Sequence, residues 1–453
     1  MEENVHLIQW LLVIGSSVLM FVVSPWAKSV NDFFKGSKLD QEPGFWMLTS
    51  SLVISWIFAK SITNAANLGM SYGMVGGVSY AAYYLSFLVA GVVIYYMRVK
   101  GGFESIHGFL AKRFGRPALL IFSLLIAFRL LNEVWSNTMV IGSYFGEAQS
   151  FSYYAAIVVF TLLTLAYTLK GGLRSSLLTD AIQMVFFGVL LVAILAIILP
   201  KGDAGIGEYI GSGEWTAAGG INLLFVALLQ VFSYPFHDPV MTDRAFIASP
   251  KKTLVSFMAA TVIGGLSIVL FSFLGIFATF NGLSGQAPVA VSQLLGTGMM
   301  LLVNFIMITS AASTLDSSFN SFGKLMILDI KLLKNVSITN GRWMIALACL
   351  IGTIPIFFNA DILSATTISG TMVIGLTPVF ALWFLKPPKI SFYLSVLVGV
   401  VIGVLHVVDF KFPLFHFDGP YGDLLSANIW GVLVCFSLYL FPVFLSKIMN
   451  NNE

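Results

Sequence analysis

The stretch Phe45–Gly69, FWMLTSSLVISWIFAKSITNAANLG, makes two statements at once. It is long and apolar enough to cross a bilayer, for which roughly 20 residues suffice. It also carries Ser55, Lys60, Ser61, Thr63, Asn64 and Asn67 before it reaches Gly69. Polar and ionisable groups inside a membrane face a protein interior or a water-filled cavity, and they mark solute and ion pathways.

Outward from this stretch the same apolar texture continues. Of 453 residues, 58% are apolar and 10% charged, where soluble domains run at about 45–50% and about 25%. That excludes a soluble enzyme, a nucleic-acid binder and a disordered scaffold, and makes the lipid bilayer the chain's surroundings. A net charge of +3 is too small to imply an acidic partner, and no obligate protein partner is evident. Cys349 and Cys435 sit in apolar runs, so no disulfide framework is implied. The first apolar run, from Ile8 to about Val23, follows Glu2 and Glu3 and continues into Pro25-Trp26 without a cleavage site. It reads as a retained helix.

Hydropathy and length predict about thirteen transmembrane helices. They lie near 8–24, 45–68, 72–97, 117–145, 152–169, 174–199, 219–236, 253–280, 294–323, 342–358, 361–385, 390–408 and 429–446. With the N-terminus outside and the C-terminus cytoplasmic, only Lys201 and Lys411 of the 24 Lys and Arg fall in outside loops. Lys60 and Arg129 fall within spans, and the remainder line the inside loops, as the positive-inside rule requires. Asp203, Glu208, Glu214, Asp409, Asp418 and Asp423 populate the two long outside loops. The segment 101–116 is amphipathic and is expected along the cytoplasmic interface.

Interrupted helices in corresponding positions of two inverted repeats point to a transporter's binding site. The second span is one candidate. The seventh, ending in SYPFHDPVMTDR at 233–244 with Pro235, His237, Asp238 and Pro239, is the other. An offset of five spans reverses the direction of crossing. Residues 45–199 and 200–385 are therefore expected to form two inverted repeats, with 1–44 and 386–453 as additions. The ninth span concentrates hydroxyls at Thr309, Ser310, Ser313, Thr314, Ser317 and Ser318 beside Asp316. These suit either a hard cation or close helix packing.

Four motifs in chain order carry a resemblance. Gly171-Gly172 followed by Thr179-Asp180 and Gln183 is similar to the GG-(x)5–6-T-D-x-x-Q signature of the sodium:solute symporter family. Pro239 to Arg244 resembles its P-x4-R element. The run from Thr309 to Ser317 resembles its S-S/T-x-A-S-x-x-N/D-S element, and Ser51–Ala59 is similar to the branch of urea-active transporters. The resemblance implies a leucine-transporter-like, all-α core of two five-helix inverted repeats with alternating access. It implies a sodium site made by the backbone carbonyls of Ala59, Ile62 and Ile306 with the hydroxyls of Thr309 and Ser310. Some members add a second sodium near the residues matching Asp180 and Ser313. Ala312 stands here where a serine is usual, which weakens that second site, and Asp180 also reads as a salt-bridge partner.

Lys60 departs from the family, falling between two residues of the implied sodium site. Arg129 and Glu133 share one face of the fourth span at i and i+4. Three readings follow. Lys60 pairs with Glu133 as a buried bridge; or its ammonium takes the ion's place, making transport proton-coupled or uncoupled; or Lys60 or Arg129 holds a substrate carboxylate. Ser61 and Thr63 are the expected substrate contacts, with Arg129 and Glu133 as further candidates. His237–Asp238 reads first as a helix cap and second as a proton relay. Trp56, Tyr72, Tyr80, Tyr83 and Tyr84 read first as an interface belt and second as substrate-facing aromatics, and Gly73–Gly77 as a packing cluster.

No H-E-x-x-H occurs, and apart from His237 no His stands at ligand spacing from a Cys or carboxylate, so an enzyme is not expected. The expected function is sodium-coupled import of a small organic solute across the cell membrane by a multi-pass carrier. A proton-driven or uncoupled carrier and a transporter-like sensor are the alternatives. A channel is disfavoured by the interrupted helices. The chain stops six residues after Lys447 and no signalling module is expected.

Overall fold

The computed structural model describes residues 2–36, 41–201, 204–358 and 370–451. Among them the chain is all-helical, without a β-strand. In order, the helices are α1 (Glu2–Val23), α2 (Val30–Lys35), α3 (Phe45–Ile54), α4 (Ala59–Ala81) and α5 (Leu85–Val99). There follow α6 (Ile106–Phe114), α7 (Arg116–Ser143), α8 (Phe151–Gly171), α9 (Leu173–Lys201), α10 (Ile206–Gly211), α11 (Asn222–Gln230) and α12 (Pro239–Arg244). The chain continues with α13 (Pro250–Phe280), α14 (Ala287–Leu295), α15 (Thr297–Lys324), α16 (Ile338–Thr353), α17 (Thr377–Ala381), α18 (Lys389–Val407) and α19 (Gly422–Asn451).

Among the described residues, ten helical stretches are long and apolar enough to cross a membrane. They differ from the expected spans where backbone geometry intervenes. Residues 59–99 form one helical stretch interrupted at Gly73, whose φ of 59° and ψ of −142° reverse the chain there. Only glycine adopts such a conformation without steric cost. The ninth span is preceded by a separate helix, α14, because Gly296 at φ 82° breaks the path into α15. The seventh span is delivered as two short helices, α11 and α12, with a 3-10 turn over Tyr234–His237 between them. The first part of the span expected at 361–385 lies outside the described residues, and Gly370–Ala381 is a shorter apolar helix.

The centre of the molecule is the crossing of α4 and α13. Backbones meet there because a Cβ on Gly275 would sit 1.7 Å from the Ala66 carbonyl oxygen, and one on Gly69 would sit 2.2 Å from that of Ser272. Close approach through small residues is what drives helix association in lipid. The amphipathic segment forms α6, capped by Ser105, whose hydroxyl accepts from the Gly108 amide. Its face of Ile106, Phe109, Leu110 and Phe114 is buried.

Candidate functional site

Two interrupted helices meet at the centre. α3 ends at Ile54, Phe58 is extended, and α4 restarts at Ala59. No proline or glycine occurs in 55–58; side chains from elsewhere hold the gap open. The Tyr84 hydroxyl donates to the Trp56 carbonyl at 3.0 Å, and the Ser310 hydroxyl donates to the Ile57 carbonyl. In the seventh span, Pro235 and Pro239 remove backbone donors and end the helix by themselves. Asp238 then caps α12, its Oδ1 accepting from the amides of Val240 (3.0 Å) and Met241 (3.3 Å).

A buried ionic network lies behind both gaps. Asp238 Oδ2 accepts from Trp56 Nε1 at 2.6 Å and from Arg129 Nη2 at 2.7 Å. Arg129 Nη1 donates to the Tyr234 hydroxyl at 2.9 Å, and Nη2 lies 3.4 Å from Glu133 Oε1. Glu133 Oε2 is 2.8 Å from Lys60 Nζ, which also donates to Ser136 at 3.2 Å. All four ionised side chains are at most 4% exposed. Two cations and two anions compensate each other, as charges removed from water must. Of the readings for Lys60, the bridge to Glu133 is the one the side chains form. Arg129 is turned to Asp238 and Tyr234, and neither it nor Glu133 lines the cavity described below.

Ser310 places the hydroxyl-rich face of α15 against the gap in the second span. Ala59, Ile62 and Ile306 are fully buried beside it. The Thr309 hydroxyl donates to its own helix at Phe305 (2.8 Å) and lines a small void with Ser17, Tyr167 and Gln183. Neutral hydroxyl and carbonyl oxygens at an interrupted helix suit a small hard cation. The Ile57 carbonyl belongs with this set and went unnoticed in the sequence, where nothing marks an interruption at that residue. Among the described residues no cluster of three or more His, Cys, Asp or Glu is arranged for a metal.

Asp180 is paired. Its Oδ1 accepts from Ser313 at 2.5 Å, and Oδ2 accepts from Ser51 (2.5 Å) and Arg244 Nη2 (3.0 Å). The guanidinium of Arg244 is wholly buried and donates further to Ser51, Ser317 and the Val240 carbonyl. Asp316 accepts from Ser176 and Thr179, both at 2.9 Å. This layer, with Lys324 on Asp243 and Arg98 on the carbonyls of Ala245 and Ala248, seals one end of the bundle.

Toward the other end a cavity of about 570 Å³ opens. Its floor is Trp56, Phe58, Lys60, Ser61 and Thr63; its walls include Tyr80, Tyr83, Tyr84, Gln230 and Tyr234; its mouth has Tyr72, Gln286 and Tyr421. Ser61 and Thr63, the expected substrate contacts, are among its lining residues. The tyrosines and Trp56 correct the interface-belt reading: packing around α4 turns them inward, which their aromatic character alone did not disclose.

Residues 41–206 match the model of the sodium:solute symporter family, in agreement with the motif resemblance. Solute carrier family 5 member 4B of Mus musculus is 30% identical over 142 residues, 31% of this chain and 21% of that protein. The urea-proton symporter DUR3 of Oryza sativa subsp. japonica is 28% identical over 157 residues, 34% of this chain and 21% of that protein. The chain thus matches about a fifth of the length of these relatives. A Na+-coupled sialic acid symporter, solved substrate-bound and outward-open, superposes with a TM-score of 0.73 at 17% identity, covering 96% of this chain and 97% of that one. MHP1, a nucleobase-cation-symport-1 family transporter solved closed with bromovinylhydantoin bound, gives 0.59 at 12% identity, covering 92% and 95%. The fold is that of these symporters.

Proposed function

We propose that this protein is a multi-pass carrier of the cell membrane that imports a small organic solute by alternating access, driven by sodium. The carrying observation is that two helices interrupted five spans apart meet at the floor of a cavity open at one end and sealed by ion pairs at the other. Residues 45–199 and 200–385 are then the two inverted repeats. The Lys- and Arg-rich loops put the sealed end and the C-terminus in the cytoplasm and the mouth and N-terminus outside.

Sodium would be held by Ser310 and Thr309 with the carbonyls of Ile57, Ala59, Ile62 and Ile306, and would supply the driving gradient. Ser310 already bonds to the Ile57 carbonyl, so these residues can exchange a mutual contact for a shared ion. Ser61 and Thr63 contact the solute. At Asp180 and Ser313 the Arg244 guanidinium supplies the positive charge that a second sodium would bring, so one sodium per cycle is the expected stoichiometry. A second reading, in which Lys60 carries a proton in sodium's place, is supported by its position in the first turn after the gap.

The test is the melting temperature of the purified protein in sodium chloride titrated against choline chloride, because a ligand of the folded state raises it by mass action. A saturable rise, lost in Ser310→Ala and kept in Lys60→Ala, supports the sodium reading. A response to pH alone that vanishes in Lys60→Ala replaces it with the proton reading.

A further inference from the structure

We propose that the junction where α6 and α7 meet the start of α18 binds the headgroup of an anionic phospholipid. Arg113, Arg116, Lys386 and Lys389 hold the phosphate, and Phe384 and Ile390 face the acyl chains. The proposal requires only that the bundle lies in a bilayer, and it stands whichever ion and solute are carried.

Three segments converge at this junction. α6 ends at Phe114, Gly115 turns the chain at φ 91°, and α7 begins at Arg116. The Phe114 ring lies 5.1 Å from that of Phe392 on α18, and the Phe109 ring 6.0 Å from that of Phe380 on α17. Arg113 donates across to the Trp383 carbonyl at 3.4 Å. A Cβ on Gly115 would lie 3.9 Å from Lys389 Nζ, so this ammonium sits at the bend dividing Arg113 from Arg116. Lys386 is on the connection that leads into Lys389. Arg116, Lys386 and Lys389 are exposed, and Arg113 is half-buried.

The gathered charge has no counterweight in the protein. None of the four cations is ion-paired among the described residues. The sequence has no Asp or Glu between 362 and 408, and only Glu104 between 98 and 118. Nor do the cations serve their helices. Arg116 opens α7 and Lys389 opens α18, and neither first turn holds an acidic residue. The start of a helix carries partial positive charge, so a cation there is unfavourable until an anion joins it. Like charges in one place raise each other's energy in the same way. Membrane topology asks for basic residues in the cytoplasmic loops. It does not ask for four of them at one seam without a carboxylate.

The depth fits a lipid. α7 is 28 residues long, which is about 42 Å at 1.5 Å per residue. A bilayer with its headgroups is about 40–45 Å thick, so Arg116 lies in the headgroup layer. Phe384 and Ile390 flank the cations and are 59% and 50% exposed. An apolar surface beside a basic seam complements an anion that carries acyl chains. Guanidinium groups match phosphate oxygens bidentately, and an ammonium adds a point charge. Basic pockets between helices recognise anionic headgroups in this manner.

The test melts the full chain, purified in neutral detergent and stripped of lipid, in mixed micelles. Phosphatidylglycerol is titrated against phosphatidylcholine with the same acyl chains. The expected result is a saturable rise in melting temperature with phosphatidylglycerol alone, weakened at high salt. Arg116→Gln with Lys389→Gln is expected to raise the half-saturating lipid about 30-fold. Should that pair misfold, Lys386→Gln alone is read and raises it about fivefold. Lys251→Gln with Lys447→Gln removes the same charge from other cytoplasmic loops and leaves the half-saturation where it was. Glycerol 1-phosphate in solution, which lacks the chains, gives no rise. Equal rises with the two lipids, or an unmoved half-saturation in the variant read, overturns the proposal. An equal loss in the Lys251 and Lys447 pair does so by assigning the effect to diffuse charge, and a rise with glycerol 1-phosphate by making the site one for a free phosphate.

Discussion

The indole Nε1 of Trp56 donates to Asp238 Oδ2 at 2.6 Å, so one hydrogen bond ties the gap of the second span to the gap of the seventh. Asp238 also caps α12 and neutralises Arg129. Trp56→Phe keeps an aromatic side chain but removes this donor and the pyrrole half of the indole, with an expected loss of about 1–3 kcal/mol from the donor. Asp238→Asn strips the guanidinium of its counter-charge and is expected to cost about 3–5 kcal/mol. Unfolding in mixed micelles would rank the two; equal losses would mean that the charge on Asp238 contributes nothing.

Lys60 and Glu133 make a second test of buried charge. Lys60→Met or Glu133→Leu alone leaves one uncompensated ion in the centre of the bundle and is expected to cost about 3–5 kcal/mol. The double variant restores neutrality, with Arg129 still on Asp238, and is expected to be more stable than either single one. Additive losses in the same unfolding assay would contradict the pairing.

At the crossing of α4 and α13, Gly275→Ala places a methyl group 1.7 Å from the Ala66 carbonyl, where only backbone can give way. A penalty above about 4 kcal/mol is expected, seen as loss of monodisperse protein on size exclusion. Gly188→Ala, at a position with open space around it, is the control and is expected to purify normally.

His107, on α6 outside the spans, is 3.6 Å from Asp329 and packs on Phe122. Burial and the nearby Lys324 push its value down from 6.5 to about 4. The folded state therefore resists protonation. The contribution of His107 is fully present above pH 6.5 and is lost as pH falls toward 4, a change of about 3 kcal/mol. Melting temperature against pH should decline through this window in the native chain and flatten in His107→Phe. Parallel profiles would assign the decline to other groups.

How much of this was legible depends on where each break gets its cause. The gap in the seventh span is local: Pro235 and Pro239 impose it, and it could be read directly. The gap at 55–58 has no breaker of its own and exists because Trp56, Ile57 and their carbonyls find partners on Asp238, Ser310 and Tyr84. Only the polarity of the surrounding span betrayed it. A reversal between the spans ending near 68 and beginning near 72 was legible, yet that it falls on Gly73, seen only as part of a small-residue cluster, is decided by φ, which the sequence does not state. Gln230 was invisible for a third reason. Its orientation is set by Asn428, 198 positions away, on a helix outside the repeats that the motifs outline.

The zero sum of the central network has an electrical consequence. The membrane potential acts on displaced net charge, about 2.3 kcal/mol per elementary charge per 100 mV. Lys60 with Glu133 and Arg129 with Asp238 carry equal and opposite charges, so these pairs can shift during the cycle without doing work against the field. If sodium is carried as proposed, the voltage acts on that ion and not on these two pairs. Transient currents from this protein in planar bilayers should therefore disappear when sodium is replaced by choline.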